Sequence, residues 1–350
     1  QLITSHTATD AQLGLDLSGG LDSSFLLFLL SEAQIPVTAF TTRFLVDDPF
    51  FNHDVDKASL LARHFGVPHE EIVIDQALYK ASFLESFRVL EEPNYSLSVP
   101  TYFAMTKAQQ TYGCKVVLTG DGGDELFAGY PHYLAAIQDP HLPSNPFDHR
   151  TLYFNYYPSH SHSQFLTEPC SSDLAKEYVI TSAQRYLDTY NTSTSPLSLS
   201  LQMDRVTWLA GQTYPRMEKT HLFHGIEARS PLSHHQYRRA VDALISPEQY
   251  ISPRENKRFL RAWLAARGIP SFIYQDGEKH GWWSPMKYWY DEELKGLYRD
   301  IAHTAARKHS NFIQWDEITS TIERCEGWPG RTIHTYVILA LTLDALGLTL

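Results

Sequence analysis

Short apolar stretches alternate with longer segments of helical periodicity through the first part of the chain. The runs at 13–17, 36–42, 70–74 and 115–119 are five to seven residues long and rich in Leu, Val, Ile and Phe, which suits strands of a buried sheet. Between them apolar positions recur at helical spacing and predict helices over 22–33, 54–66, 76–90 and 99–112. Strand and helix in alternation predict an α/β fold: a mostly parallel sheet with right-handed crossovers and helices on both faces. Residues 139–200 break the pattern with prolines, serines and tyrosines, as in Asp139-Pro140 and Asn191-Thr-Ser-Thr-Ser-Pro196. From about 200 onward the periodicity is helical and closes with an apolar helix near 332–346. The expected organisation is a sheet-bearing core over 1–138, an irregular connection over 139–200, and a helical part over 201–350 that lies as a layer on the sheet and completes its site. No internal repeat is visible.

Two of the expected strands end in glycine-rich loops that carry chemistry. After 13–17 comes Ser18-Gly-Gly-Leu-Asp-Ser23, and a helix opens directly behind it. The free N–H groups of such a helix start suit an anion, above all phosphate. The Lys-containing nucleotide loop, Gly-x-x-x-x-Gly-Lys-Ser/Thr, is absent. Asp22 instead sets a carboxylate among phosphate-binding amides, which makes sense when a divalent cation bridges carboxylate and phosphate. After 115–119 comes Gly120-Asp-Gly-Gly-Asp-Glu125, with three acids, Asp121, Asp124 and Glu125, packed into five residues. Their mutual repulsion calls for a cation between them. Open parallel sheets bind ligands at the carboxyl ends of their strands, where both loops sit. One loop for phosphate and one for the metal make a nucleotide site.

With these residues in view the chain resembles a known family. Ser18-Gly-Gly-Leu-Asp22-Ser23 is similar to the signature loop of ATP pyrophosphatases, which cleave ATP to AMP and pyrophosphate. Thr119-Gly-Asp-Gly-Gly-Asp-Glu-Leu-Phe-Ala-Gly-Tyr130 resembles their asparagine synthetase branch. Glu92-Pro93, Pro100-Thr101-Tyr102, His224-Gly-Ile-Glu-Ala-Arg-Ser-Pro231, and Lys279-His-Gly281 with Pro285 follow in the family's order, so the resemblance spans about residues 13–290. It implies the adenine nucleotide α-hydrolase-like fold, with 1–138 as the nucleotide-binding core. It also implies an amide-bond synthetase that adenylates a carboxylate and transfers the acyl group to ammonia or an amine. ATP is then the substrate and Mg2+ the cofactor, with Asp22 and Asp124 as its ligands. The expected ATP- and pyrophosphate-binding positions are Leu17, Ser18, Gly19, Gly20, Asp22, Ser23, Thr42, Thr119, Gly120 and Lys219. The expected catalytic residues are Lys279, Asp121 and Glu227. Lys279, between Gly277 and Gly281, would meet the reacting phosphate, and flanking glycines let a flexible ammonium come close. Asp121, acidic as in asparagine synthetases, would help the attacking amine lose its proton. Glu227 and Arg229 would lie beside the substrate, the alternative being an ion pair that fixes two helices. Lys257, in Glu255-Asn-Lys-Arg258, is expected to cap or solvate a helix.

Departures from the family pattern fall on the presumed carboxylate and amine pockets. Asp16 stands in a buried strand where relatives carry an apolar residue, although some peptide-modifying relatives carry an acid. Arg43 follows Phe40-Thr-Thr42 in place of a small residue, Ser233-His234 replace Leu-Asp, and Trp282-Trp283 are bulkier than usual. A specialised amide ligase or peptide macrocyclase, similar to lasso-peptide cyclases, is therefore the alternative, and a non-catalytic binding module is a third. Full-length relatives begin with a glutaminase domain whose first residue is a nucleophilic cysteine, whereas this chain begins at Gln1. Either it is a stand-alone synthetase or it is a fragment served by a separate glutaminase domain or subunit.

Composition adds exclusions. Of 350 residues 43% are apolar and 20% charged, which is ordinary globular usage. A net charge of −11 argues against nonspecific nucleic-acid binding, and no apolar run reaches membrane-spanning length. Scattered Cys114, Cys170 and Cys325 suggest a reduced compartment, hence a cytoplasmic protein. His160 and His162 lack the further ligand spacing of a zinc site.

Overall fold

The computed structural model describes residues 2–138, 165, 181, 196–246, 249–275, 283–309 and 313–348. Five strands form one parallel sheet: β1 (Leu13–Asp16), β2 (Thr38–Phe44), β3 (His69–Ile74), β4 (Val116–Leu118) and β5 (Glu227–Arg229). Their order is β3-β2-β1-β4-β5. Leu15 pairs with Ala39 on one side and Leu118 on the other, which puts β1 at the centre. The chain winds outward from β1 to β3 and then returns to place β4 on β1's other side. The winding direction therefore reverses between β1 and β4, and an open α/β sheet binds its ligands at such a reversal. The loops after β1 and β4 are neighbours for this reason, although about a hundred residues separate them in sequence.

The helices used below are α1 (Leu21–Glu32), α2 (Val55–Phe65), α3 (Gln76–Leu90), α4 (Val99–Thr111), α5 (Gly123–Phe127), α6 (Tyr214–Phe223), α7 (Arg258–Ala265), α8 (Glu292–Lys308), α9 (Trp315–Arg324) and α10 (Gly330–Ala345). The strands and the helices α1 to α4 fall within about two residues of the positions that periodicity predicts. β5 is unforeseen: Glu-Ala-Arg holds no apolar run, and pairing with β4 alone makes it a strand. Alternate residues of β1 face opposite layers. Leu13, Leu15 and Leu17 join Val116, Leu118, Leu26, Leu30 and Leu61 in one core, which α1 and α2 complete. Gly14 and Asp16 face a smaller core of Phe40, Cys114, Val117 and Ile226. On that side Gln109 of α4 and His221 of α6 reach Asp16, so both faces carry helices.

The chain divides into two compact units. One holds the sheet and the described residues of 2–74, 102–138 and 196–275. The other holds 75–101 and 283–348. In the second, Tyr79, Phe83 and Phe87 of α3 pack with Tyr298 of α8 and His334 of α10, and Tyr298 Oη lies 2.6 Å from His334 Nδ1. The helices after residue 200 are thus shared between the units. Of the irregular stretch 139–200, residues 196–200 begin a helix, Pro196–Asp204, that runs through a π-helical stretch, Arg205–Thr213, into α6. Most of the remainder, His160 and His162 included, lies outside the described residues. Among the described residues no helix is long and apolar enough to cross a membrane.

Candidate active site

The loop after β1 is held open toward a ligand by its own side chains. Ser18 Oγ accepts from Gly20 N (3.2 Å), and Ser23 Oγ accepts from Ser18 N (3.2 Å) and lies 3.1 Å from Ser18 Oγ. Gly20 stands at the N-cap of α1 and no side chain caps the helix, so its first amides are left to a ligand. Gly19 takes φ +83°, and a Cβ there would come within 2.1 Å of the Asp54 carbonyl oxygen. Only glycine fits this position. Leu17 is buried beneath the loop, and its carbonyl accepts from Thr41 Oγ1 at 2.6 Å.

The loop after β4 lies against the first one. A Cβ on Gly123 would sit 2.4 Å from Asp22 Cγ, and one on Gly120 would sit 3.2 Å from Ser23 N. Gly122 takes φ +85° and leans on Ser233, the departure from the family's Leu. Glu125 is 1% exposed and accepts from Tyr130 Oη at 2.7 Å. Burial first, then the charge of Asp124, pushes its carboxyl up to about 8. Asp121 has a buried Oδ2 without a hydrogen-bond partner, and its main-chain carbonyl accepts from Ser230 Oγ. Burial raises the Asp121 carboxyl above the usual range, while nearby Arg216 and a bond from Thr119 oppose the rise.

Asp22 and Asp124 meet at a residue that the sequence reading left on a solvated helix end. Lys257 is 5% exposed; its Nζ donates to Asp22 Oδ2 and forms an ion pair with Asp124 Oδ1 at 2.6 Å. Lys257 thus neither caps nor solvates a helix with its side chain, contrary to the expectation from its sequence setting. An ammonium has no acceptor to offer the amides of α7, and a cation at a helix start opposes the dipole. That mismatch was the available signal that Lys257 is held by something else. Its backbone adopts φ +49°, a conformation side chains rarely take, and such positions gather at functional sites. Asn256 fixes it by donating to the Gly129 carbonyl (2.7 Å), and Arg261 anchors Asn256 through its carbonyl (3.0 Å) and Oδ1 (3.1 Å). A Cβ on Gly129 would lie 1.9 Å from Asp124 Oδ1 and 2.2 Å from Lys257 Cε, so this glycine gives the cluster its room.

The donor set fits magnesium. Two carboxylates converge on one point that a cationic nitrogen already occupies, and Mg2+ takes one or two carboxylates with phosphate oxygens and water completing its shell. Among the described residues no group of three or more His, Cys, Asp or Glu gathers that could hold a metal ion by itself, so phosphate oxygens and water would have to complete the shell.

Other expected residues fall nearer or farther. Thr119 is buried at the end of β4, with Oγ1 3.1 Å from Met217 Sδ. Thr42 is buried on β2. Lys219 is half-buried on α6. Glu227 is not brought to the loops. It opens β5, pairs with Val116 at the start of β4, and lies at the amino end of the sheet while the loops leave the carboxyl end. Its carboxylate grips Arg229 at 2.8 and 3.2 Å, and that guanidinium holds it below its ordinary range; the ion pair lies within one strand and does not join two helices. Arg43 likewise spends its guanidinium on Glu71 (2.5 and 3.0 Å) and Asp56 (2.8 Å). Lys279 and Trp282 lie outside the described residues, while Trp283 carries the Arg331 guanidinium 3.6 Å from its ring centre.

Comparison with known proteins gives a coherent result. The family model described as asparagine synthase matches residues 1–345. Asparagine synthetase [glutamine-hydrolyzing] 1 of Bacillus subtilis is 24% identical over 341 residues, covering 88% of this chain and 52% of that protein. A putative asparagine synthetase of Mycobacterium tuberculosis is 34% identical over 148 residues, 42% of this chain and 21% of that one. The chain thus spans about half the length of the first relative and about a fifth of the second. Among solved structures, NMN synthetase from Francisella tularensis aligns at 17% identity and a TM-score of 0.30, over 59% of this chain and 92% of that one. NH3-dependent NAD synthetase from Campylobacter jejuni aligns at 18% and 0.28, over 64% and 91%. Scores this low carry no argument about function.

Proposed function

Because the chain belongs to the asparagine synthase family, we propose that it is an AMP- and pyrophosphate-forming ligase that adenylates a carboxylate and passes the acyl group to ammonia or an amine. The observation that carries this is the convergence of Asp22 and Asp124, from the loops after β1 and β4, on the Lys257 ammonium. The uncapped amides of α1, with Ser18 and Ser23, bind the pyrophosphate part of ATP. Leu17, Gly19, Gly20, Thr42, Thr119 and Gly120 shape the nucleotide groove around them, and Lys219 adds positive charge from α6. Asp22 and Asp124 hold Mg2+, which when bound neutralises phosphate charge as pyrophosphate departs. Lys257 keeps the two carboxylates at one point, and Lys279 is the cation that answers charge developing at the reacting phosphate. Asp121, its carboxyl raised above the usual range by burial, takes the proton of the attacking amine.

Asp16 in the central strand favours one finer reading: the acceptor or donor differs from that of a free-aspartate enzyme, as in a specialised amide ligase or peptide macrocyclase. Ammonia would come from solution or from a separate glutaminase domain or subunit. Carboxylate-dependent exchange of labelled pyrophosphate into ATP, run across free amino acids, peptides and other acids, tests the proposal. We expect exchange with at least one acid and its loss in Asp22→Asn and Asp124→Asn. Exchange at wild-type rate in either variant would remove the two residues from the chemistry.

A further inference from the structure

The inner face of β1 carries a polar pair that the adenylation chemistry does not use. Asp16 Oδ1 accepts from Gln109 Nε2 at 2.6 Å, but Asp16 Oδ2 is buried without a hydrogen-bond partner. Opposite it lies His221 Nε2, also buried without one, at 4.0 Å. His221 is fully buried on α6, and its Nδ1 lies 2.7 Å from the Met217 carbonyl oxygen. A carbonyl only accepts, so Nδ1 carries the ring proton and Nε2 presents a bare lone pair. Burial holds the ring neutral by lowering its basicity to about 4. With Asp16 ionised, two acceptors thus face each other across a gap too long for a direct bond.

Orphaned buried acceptors of this kind are costly, and a donor between them relieves the cost. A nitrogen about 2.9 Å from each would subtend an angle of about 90°, open to a small tetrahedral donor. The surroundings also call for positive charge. Without a cation, burial and the charge of Asp121, against the Gln109 bond, push the Asp16 carboxyl up to about 8, so at neutral pH it keeps a proton that a bound cation would displace. Tyr102 feels the charges of both aspartates, and its ring lies 6.0 Å from that of His221. Imidazole nitrogen is a poor ligand for sodium, potassium or magnesium, which prefer oxygen, so these cations fit this gap badly. An N–H donor with a positive charge meets both needs.

We propose that Asp16 and His221 form a subsite for an ammonium ion, or for the ammonium end of a primary amine, beside Asp121. Its purpose as a holding place for the nucleophile rests on the amide-forming function proposed above, whereas the binding itself does not. Labelling the histidines with 15N allows the test, the His221 signal being identified by its loss in His221→Gln. Ammonium chloride should move the Nε2 resonance saturably, and sodium or potassium chloride at equal ionic strength should not. Methylamine hydrochloride separates the two sources: a response to it as well marks an amine-end site, and a response to ammonium alone marks a site for the free ion. Asp16→Asn puts an amide N–H2 into the gap and Asp16→Leu an apolar branch, and each should abolish the response. In catalysis Asp16→Asn should raise the KM for ammonium by tenfold or more and leave pyrophosphate exchange unchanged. A resonance that ignores both amines, or responds equally to sodium chloride because water alone fills the gap, overturns the proposal. Persistence of the response in both Asp16 variants overturns it as well. Wild-type protein that shows the response but no carboxylate-dependent exchange would instead refute the ligase assignment and leave the subsite standing.

Discussion

Replacing Lys257 with methionine keeps the length of the side chain and removes the one charge that Asp22 and Asp124 share. Both carboxylates touch a single nitrogen, so their nearest oxygens lie within about 5 Å of each other by hydrogen-bond geometry. Two unit charges at that distance repel by about 3 kcal/mol at an effective dielectric near 20. This agrees with the loss of about 3–5 kcal/mol that follows when one partner of a buried ion pair is removed. For a unit of this size that is a fall in Tm of about 6–20 °C. The variant should also gain a pH dependence. In the wild type Lys257 is raised by its aspartates, so its contribution is fully present below the ordinary lysine range and flat from pH 5 to 8. In Lys257→Met the pair relieves itself by keeping a proton that the unfolded chain releases. Stability then falls as pH rises through neutrality. Denaturation followed by hydrogen exchange across β1, α5 and α7 separates this unit from the other. Magnesium chloride should restore part of the loss in the variant, since a divalent cation can take the vacated point. A variant as stable as wild type at pH 8 without divalent cations, with no response to magnesium, would refute the idea that these carboxylates form an anionic pair held by Lys257.

Asp121→Asn should spare carboxylate activation and impair acyl transfer, so that amide falls relative to AMP when both are measured in one reaction. An unchanged ratio would retire Asp121 as the base. Gly129→Ala should abolish pyrophosphate exchange, because its Cβ falls within 1.9 Å of Asp124 Oδ1, whereas Gly211→Ala, with open space around it, should leave exchange intact. The raised carboxyl of Asp16 binds a proton in the folded state that the unfolded chain releases, so it lowers stability as pH rises from about 4 to about 8. Urea titrations should therefore show a shallower decline over that range in Asp16→Asn than in wild type, and parallel curves would exclude Asp16 as a contributor.

The sequence alone determined the four strands and the four long helices of the first 120 residues, because hydrophobic period is a local property and each strand is a short apolar run; the short helices Leu2–His6 and Pro49–Asn52 it did not show. It determined the two glycine loops as well. Their chemistry is written in consecutive residues, and Gly19, Gly122 and Gly123 occur where another residue would collide or strain. It did not determine β5, whose Glu-Ala-Arg is a strand only because β4 offers it hydrogen bonds. Glu227 looked like a site residue because it sits in a family motif, yet position along a strand decides which end of the sheet a side chain reaches. Lys257 was hidden for the opposite reason. Nothing local distinguishes a solvated lysine from one whose ammonium is buried 133 residues away from Asp124 along the chain, and only the fold supplies the two carboxylates. The same holds for Asp16 and His221. An acid in a buried strand could be read from the sequence as out of place, but the imidazole lone pair that faces it comes from a helix more than two hundred residues later. Charge and hydrogen-bond complementarity between distant segments is a property of the folded surface each presents to the other, and tertiary structure alone decides it.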